Sequence, residues 1–268
     1  MRIASAALVA VSLALATQAS AQWQKVPDKN VPIEAGKPNL GARPPRVDRK
    51  TPDLSGVWLP DPDPKGKPGG LEQLVFPRYF IDITADYERG AVALQPQAGE
   101  TLNKRLASEG KDQPAAYCKP GGAPAVNSVP LPFKIVQTPK LVLILYESDT
   151  DFRQIFLDGR KPVEDPLPRF MGYSTGRWES GDTLVVDTVG FVDQLWLDAI
   201  GHPNTSALHV TERFRRPDAG HLTIETTIDD PGAYVKPFSY TQPLTLQTDS
   251  DLLEYYCTEN EKDVQHYQ

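Results

Sequence analysis

From Phe133 onward the sequence is a succession of short runs in which apolar and polar residues alternate, each ended by residues that favour turns. The runs are Lys134–Thr138, Leu141–Glu147, Phe152–Asp158, Gly172–Trp178, Thr183–Thr188, Ala207–Arg215, Leu222–Asp229, Ser239–Leu246 and Leu252–Cys257. Between them stand turn formers such as Thr138-Pro139-Lys140, Asp158-Gly159, Ser180-Gly181-Asp182, Pro217-Asp218-Ala219-Gly220 and Thr248-Asp249-Ser250. Period-two alternation marks half-buried strands, and tight turns between successive strands make an antiparallel meander. A meander this long must hide its edges, by closing into a barrel or folding into two sheets. The expectation is a mainly β fold: an antiparallel up-and-down β-barrel over residues 53–268, opened by a strand at Asp53–Trp58.

The residues before Phe133 read differently. Residues 22–52 are rich in Pro, Lys and Asn without periodicity, which predicts an extended Pro-rich arm. Helical composition is confined to residues 84–110, with Thr84 and Asp86 as cap candidates. Inside the meander, Phe191–Thr205 breaks the alternation and suggests a short helical turn followed by a loop at His202-Pro203.

The N-terminus has the three parts of a secretory signal peptide: Arg2, the apolar run Ile3–Ala16, and Ala19-Ser20-Ala21 as a small-x-small site before Gln22. The apolar run falls short of the ~20 residues a bilayer span needs, so residues 1–21 are expected to be cleaved. A periplasmic or secreted location follows. Two cysteines, Cys118 and Cys257, then favour a disulfide over free thiols. Closing so long a loop is worth about 4–5 kcal/mol in the chain-entropy account.

Composition excludes several partners. The net charge is -7, and no long basic run exists, which argues against nucleic acid and against anionic membrane surfaces. No later segment suggests membrane insertion. No Gly-rich phosphate loop, dinucleotide fingerprint, nucleophile elbow or metal-spaced His/Cys cluster occurs, so no cofactor and no metal is expected. A homo-oligomer remains open.

A few charges interrupt apolar rows. Glu212 follows Leu208 and Val210 on one strand face and precedes Phe214; Arg153 shares a face with Ile155 and Leu157. The same alternation sets Glu147 after Leu141, Leu143 and Leu145, and Glu254 between Leu252 and Tyr256. Unpaired buried charge costs several kcal/mol, so these groups either pair or are used. Three readings stand: an internal ion pair such as Arg153 with Glu212, a polar floor to a ligand cavity, or a one-residue slip that puts the charges in water. His202 is a turn histidine or a general acid or base oriented by Asp198. His209 and His221 fall on an outward face or a turn. The candidate catalytic residues are therefore His202, Glu212 and Tyr173. Arg153, Tyr146, Glu147, Trp196 and Trp58 are the candidate substrate-binding residues.

Gly56-Val57-Trp58 resembles the opening strand of lipocalin-like barrels. Pro52–Trp58, Arg153–Arg160, Met171–Trp178, Gly181–Thr188, His209–Phe214 and Glu259-Asn260-Glu261 together resemble the signatures of a large group of exported bacterial proteins, described mostly as hypothetical. The group's association with bacteria that degrade lignin-derived aromatic dimers implies a cofactor-free lyase, such as one releasing formaldehyde from a phenylpropanoid side chain. The expected function is proton transfer on a small aromatic or apolar molecule by a lyase or isomerase. The alternatives are a periplasmic carrier of an apolar ligand, and an interaction module working through the Pro-rich arm.

Overall fold

A computed structural model of the chain describes residues 27–67, 74–179 and 181–257. The expected signal peptide, the cleavage site before Gln22, the first residues of the arm, Ser180 and Glu259-Asn260-Glu261 lie outside the described residues.

The alternating runs form a closed barrel. Its strands are β3 (Gly56–Pro60), β4 (Phe133–Gln137), β5 (Leu141–Tyr146), β6 (Phe152–Phe156), β7 (Tyr173–Glu179), β8 (Thr183–Val189), β9 (His209–Arg215), β10 (His221–Asp229) and β11 (Phe238–Leu246). Neighbours follow chain order from β3 to β11, and β11 returns to pair with β3 through Leu244↔Pro60 and Leu246↔Trp58. Closure leaves no free edge.

One pair departs from a pure up-and-down meander. β6 and β7 run parallel, through Ile155↔Ser174 and Phe156↔Thr175. Residues 157–172 between them carry Pro162, Pro166 and Pro168, which cannot feed a hairpin ladder. The connection instead returns the chain to the end it left, as parallel pairing requires.

The expected strand at Leu252–Cys257 does not form; residues 251–256 carry no regular structure. With β11 already paired to β3, no edge is available to it. This tail instead lies across the barrel wall. Lys134 Nζ meets Asp251 Oδ1 at 2.8 Å, Leu253 N–H donates to Glu147 Oε2, and Cys257 is bonded to Cys118. The disulfide thus joins positions 139 residues apart.

Helix is shorter than composition suggests. α1 spans Arg78–Ile81 and α2 spans Pro96–Ala107, while residues 83–87 make turns. Pro96 at the first helical position explains the late start of α2: its fixed φ suits N1 and it needs no N–H partner. No helix among the described residues is long and apolar enough to cross a membrane.

The arm is docked rather than free. Ile33–Glu34 (β1) and Lys37–Pro38 (β2) pair as a small hairpin, and Val31 is buried in the core. Gly220 N–H donates to Leu40 O, and a Cβ on Gly220 would stand 2.3 Å from Leu40 Cβ, so this contact requires glycine.

The interior divides into two apolar clusters. One gathers Trp58, Phe133, Ile144, Ile155, Val186, Phe214 and Leu244; the other joins Val210, Ile228, Tyr234 and Tyr240 to Tyr79 and Ile83 beside α1 and to Leu195 and Leu197. A belt of polar side chains lies on the inward faces of β5 to β11, and of the candidate residues Tyr146, Arg153 and Glu212 belong to it.

Candidate functional site

Glu212 and Arg153 face inward and meet. Arg153 on β6 reaches past β7 and β8 to Glu212 on β9, and both side chains are fully buried. Arg153 Nε donates to Ser174 Oγ at 3.0 Å, Nη2 to Thr188 Oγ1 at 2.8 Å, and both Nη atoms bond the Glu212 carboxylate. Burial works against the guanidinium charge, yet Glu212 outweighs it and holds Arg153 more firmly protonated than usual. The donors of Arg153 are turned to barrel partners, so Glu212 and Arg153 act first as a paired brace.

A residue outside the meander completes this network. The loop from Cys118 to Val129 folds into the barrel mouth and buries Asn127. Asn127 Nδ2 donates to Glu212 Oε1 at 2.6 Å, and Tyr146 Oη donates to Asn127 Oδ1 at 2.7 Å. Burial pushes the Tyr146 hydroxyl well above its ordinary range, so it stays a donor. The belt continues through cross-strand partners, Glu212↔Thr226↔Tyr240.

The inward face of β5 is Val142, Ile144 and Tyr146, opposite to the face expected from Leu141, Leu143 and Leu145. Glu147 consequently lies outside the barrel, where it accepts the Leu253 N–H, and Glu254 is exposed on the tail. Trp58 sits in the first apolar cluster with no exposed surface; its Nε1 donates to Leu54 O and the Arg216 guanidinium lies 4.9 Å from its ring. Arg216 itself is buried against the carbonyls of Asp53, Ser55 and Ala219.

His202 and Trp196 form a separate group beside α1. Trp196 pairs with Pro203 as an isolated bridge, so the expected helical turn is a tight loop, and Arg105 lies over the Trp196 ring at 5.1 Å. Asp198 holds the loop together: Oδ1 accepts the N–H groups of Gly201 and His202, and Oδ2 accepts that of Ile83 at 2.9 Å. Oδ2 also meets His202 Nδ1 at 2.5 Å. Burial disfavours the imidazolium, but Asp198 and then Asp82, 3.9 Å away, prevail and raise the histidine's pKa. His202 Nε2 makes no hydrogen bond among the described residues.

Asp82, Asp198 and His202 bring their ligand-type atoms within 4.8 Å of one another. The donor set does not suit a cation, since both Asp198 oxygens each already accept two hydrogen bonds. Asp198 is the hydrogen-bonding hub that orients the imidazole, and Asp82 is a nearby charge 3.9 Å from it.

The loop bearing His202 also walls a cleft of about 270 Å³. Phe80, Trp196, Asp198 and Ala199 line it together with Ala115, Val126 and Val129 of the Cys118 region. Asp149 lines the same cleft, and burial raises its carboxyl pKa.

Tyr173 stands apart from both groups. Its hydroxyl accepts from Arg160 Nη1 at 3.3 Å and its ring packs on Phe156. It lines a second cleft with Asp151, a residue the strand pattern did not single out; burial, reinforced by Asp149, pushes the Asp151 carboxyl up to about 6. His209 and His221 pair with Asp187 and Asp218 on the surface.

No protein-family model matches this chain, and no curated protein and no solved structure is significantly similar to it.

Proposed function

We propose that this protein is an exported, cofactor-free lyase or isomerase that moves a proton on a small aromatic or apolar molecule. The observation that carries the reading is the His202–Asp198 dyad, with Nδ1 held at 2.5 Å and Nε2 unpartnered among the described residues. A carboxylate that accepts from Nδ1–H selects the tautomer whose Nε2 lone pair is the base, and stabilises the imidazolium once the proton arrives. Phe80 and Trp196 offer aromatic surface in the adjoining cleft, and Asp149 offers a carboxyl whose protonated form burial favours. The Arg153–Glu212 brace is tied through Asn127 to the loop whose Ala125, Val126 and Val129 line this cleft.

Export is supported by the N-terminal pattern and by the Cys118–Cys257 bond, which suits an oxidising compartment. The resemblance to exported bacterial proteins, carried by the strand signatures above, supports the same assignment.

Incubation of the protein with a panel of phenylpropanoid-type aromatics in D₂O, followed by ¹H NMR, tests the reading. Solvent deuterium should enter a substrate C–H, or product should appear, and His202→Gln should abolish this while affinity stays within about twofold. A ligand bound tightly and recovered without exchange would make the protein a carrier instead.

A further inference from the structure

The parallel seam between β6 and β7 holds for two residue pairs only. Toward the start of β6 the strands part, and a cleft of about 250 Å³ opens between them. Asp151, Phe152, Arg169, Phe170, Met171 and Tyr173 line it.

Three features of this cleft have no role in the fold. Asp151 Oδ2 is buried without a hydrogen-bond partner among the described residues, a situation that costs free energy unless something supplies a donor. Arg169 is exposed and its guanidinium has no ion pair among the described residues, although its backbone is fixed through Gly190 and Val192. Phe152 is 58% exposed at the rim, an unusual setting for so large an apolar ring.

The backbone holds Asp151 there at a cost. The turn before it places Asp149 at φ 56 and Thr150 at φ 54, both in the left-handed region, and a β-branched residue is rarely found there. Thr150 Oγ1 donates to Tyr255 O of the tail, which helps keep the turn in this shape.

We infer that this cleft is a binding site for a small aromatic acid carrying an amino or hydroxyl group next to its carboxylate. The carboxylate pairs with Arg169, the donor satisfies Asp151 Oδ2, and a single ring packs against Phe152, Phe170 and Tyr173. A simple anion is disfavoured by Asp151, and a simple cation by Arg169. The volume lies just below the usual range of ligand pockets, so one ring is the limit. The site is distinct from the cleft beside the His202 loop and does not depend on the role of His202.

Calorimetric titration of the full chain with phenylalanine and 3-phenyllactate tests the assignment. Both should bind. Phenylacetate, which lacks the donor, and phenethylamine, which lacks the carboxylate, should each bind at least about tenfold more weakly than phenylalanine. Asp151→Asn and Arg169→Ala should each weaken phenylalanine by a similar factor, while His202→Gln should leave it unchanged. Arg169 is exposed, so Arg169→Ala keeps the fold and carries the test independently of Asp151→Asn. Failure of both probes to bind, or equal binding by wild type and Arg169→Ala, overturns the proposal.

Discussion

Asn127 and Glu212 lie 85 residues apart in sequence, yet Asn127 Nδ2 donates to Glu212 Oε1 across 2.6 Å inside the barrel. One contact thereby joins the Cys118 loop to the wall of the β-barrel. Glu212 in turn grips Arg153, so the loop, β6 and β9 share one buried network. Networks of this kind are costly to break and informative when broken one partner at a time.

Removing one member of the ion pair should destabilise more than removing both. Glu212→Gln strands the buried Arg153 charge, with an expected loss of about 3–5 kcal/mol. The double variant Arg153→Met/Glu212→Leu removes both charges and fills similar volume, so it should lose less than Glu212→Gln alone. Urea unfolding of the variants supplies the comparison, and a double variant worse than the single would contradict a buried pair.

The disulfide should stabilise the Asn127 loop as well as the tail. Replacing Cys118 and Cys257 by Ser releases a bond across 139 residues, for which about 3–5 kcal/mol is expected. Amide exchange should quicken most at Asn127 and Ser128 and at Leu253, whose N–H is held by Glu147. If exchange rose only at the tail, the loop would be held by Glu212 rather than by the cysteine bond.

Much of this arrangement is legible in the sequence, for reasons that also mark where legibility ends. Glu212 and Arg153 stand out because each is a lone charge in an apolar row, and the closed barrel leaves an inward charge no solvent to reach. Asp198 and His202 sit four residues apart around a turn, close enough to meet. The register of β5 is not legible, because both of its faces are apolar and periodicity cannot choose between Leu143 and Ile144. Leu252–Cys257 alternates like a strand, but pairing depends on a free edge, and β3 had already taken it. Asp151 escapes notice because its surroundings arise from the parallel seam, and that seam depends on how residues 157–172 travel.

The dyad gives stability a defined pH dependence. His202 has a folded pKa above the ordinary 6.5, so the folded chain holds the proton more tightly than the unfolded one. The resulting stabilisation is fully present below pH 6.5 and disappears as pH rises through the raised folded value. Asp198→Asn removes the main cause of the shift, and His202→Gln removes the group. Both variants should lose the decline in stability expected of wild type above pH 6.5, measured by thermal unfolding across pH 5–9. A wild-type profile parallel to that of His202→Gln would mean that Asp198 does not hold a proton on the ring.

Asp151 predicts a second dependence, in a lower window. Burial and the neighbouring Asp149 raise its pKa from 3.8 to about 6, so the folded state again binds the proton more tightly than the unfolded state. For this acid the contribution is full below pH 3.8 and is lost as pH rises through about 6. The side chain is only partly buried, so after solvent screening the effect is worth about 1 kcal/mol. Asp151→Asn cannot ionise and so should be more stable than wild type by about 1 kcal/mol at pH 7, with the advantage gone at pH 4. Urea unfolding of both proteins at pH 4, 5, 6 and 7 measures the difference. A constant difference across that range would show that Asp151 ionises as an ordinary surface carboxylate, and the unpartnered oxygen in the cleft would then place no demand on a ligand.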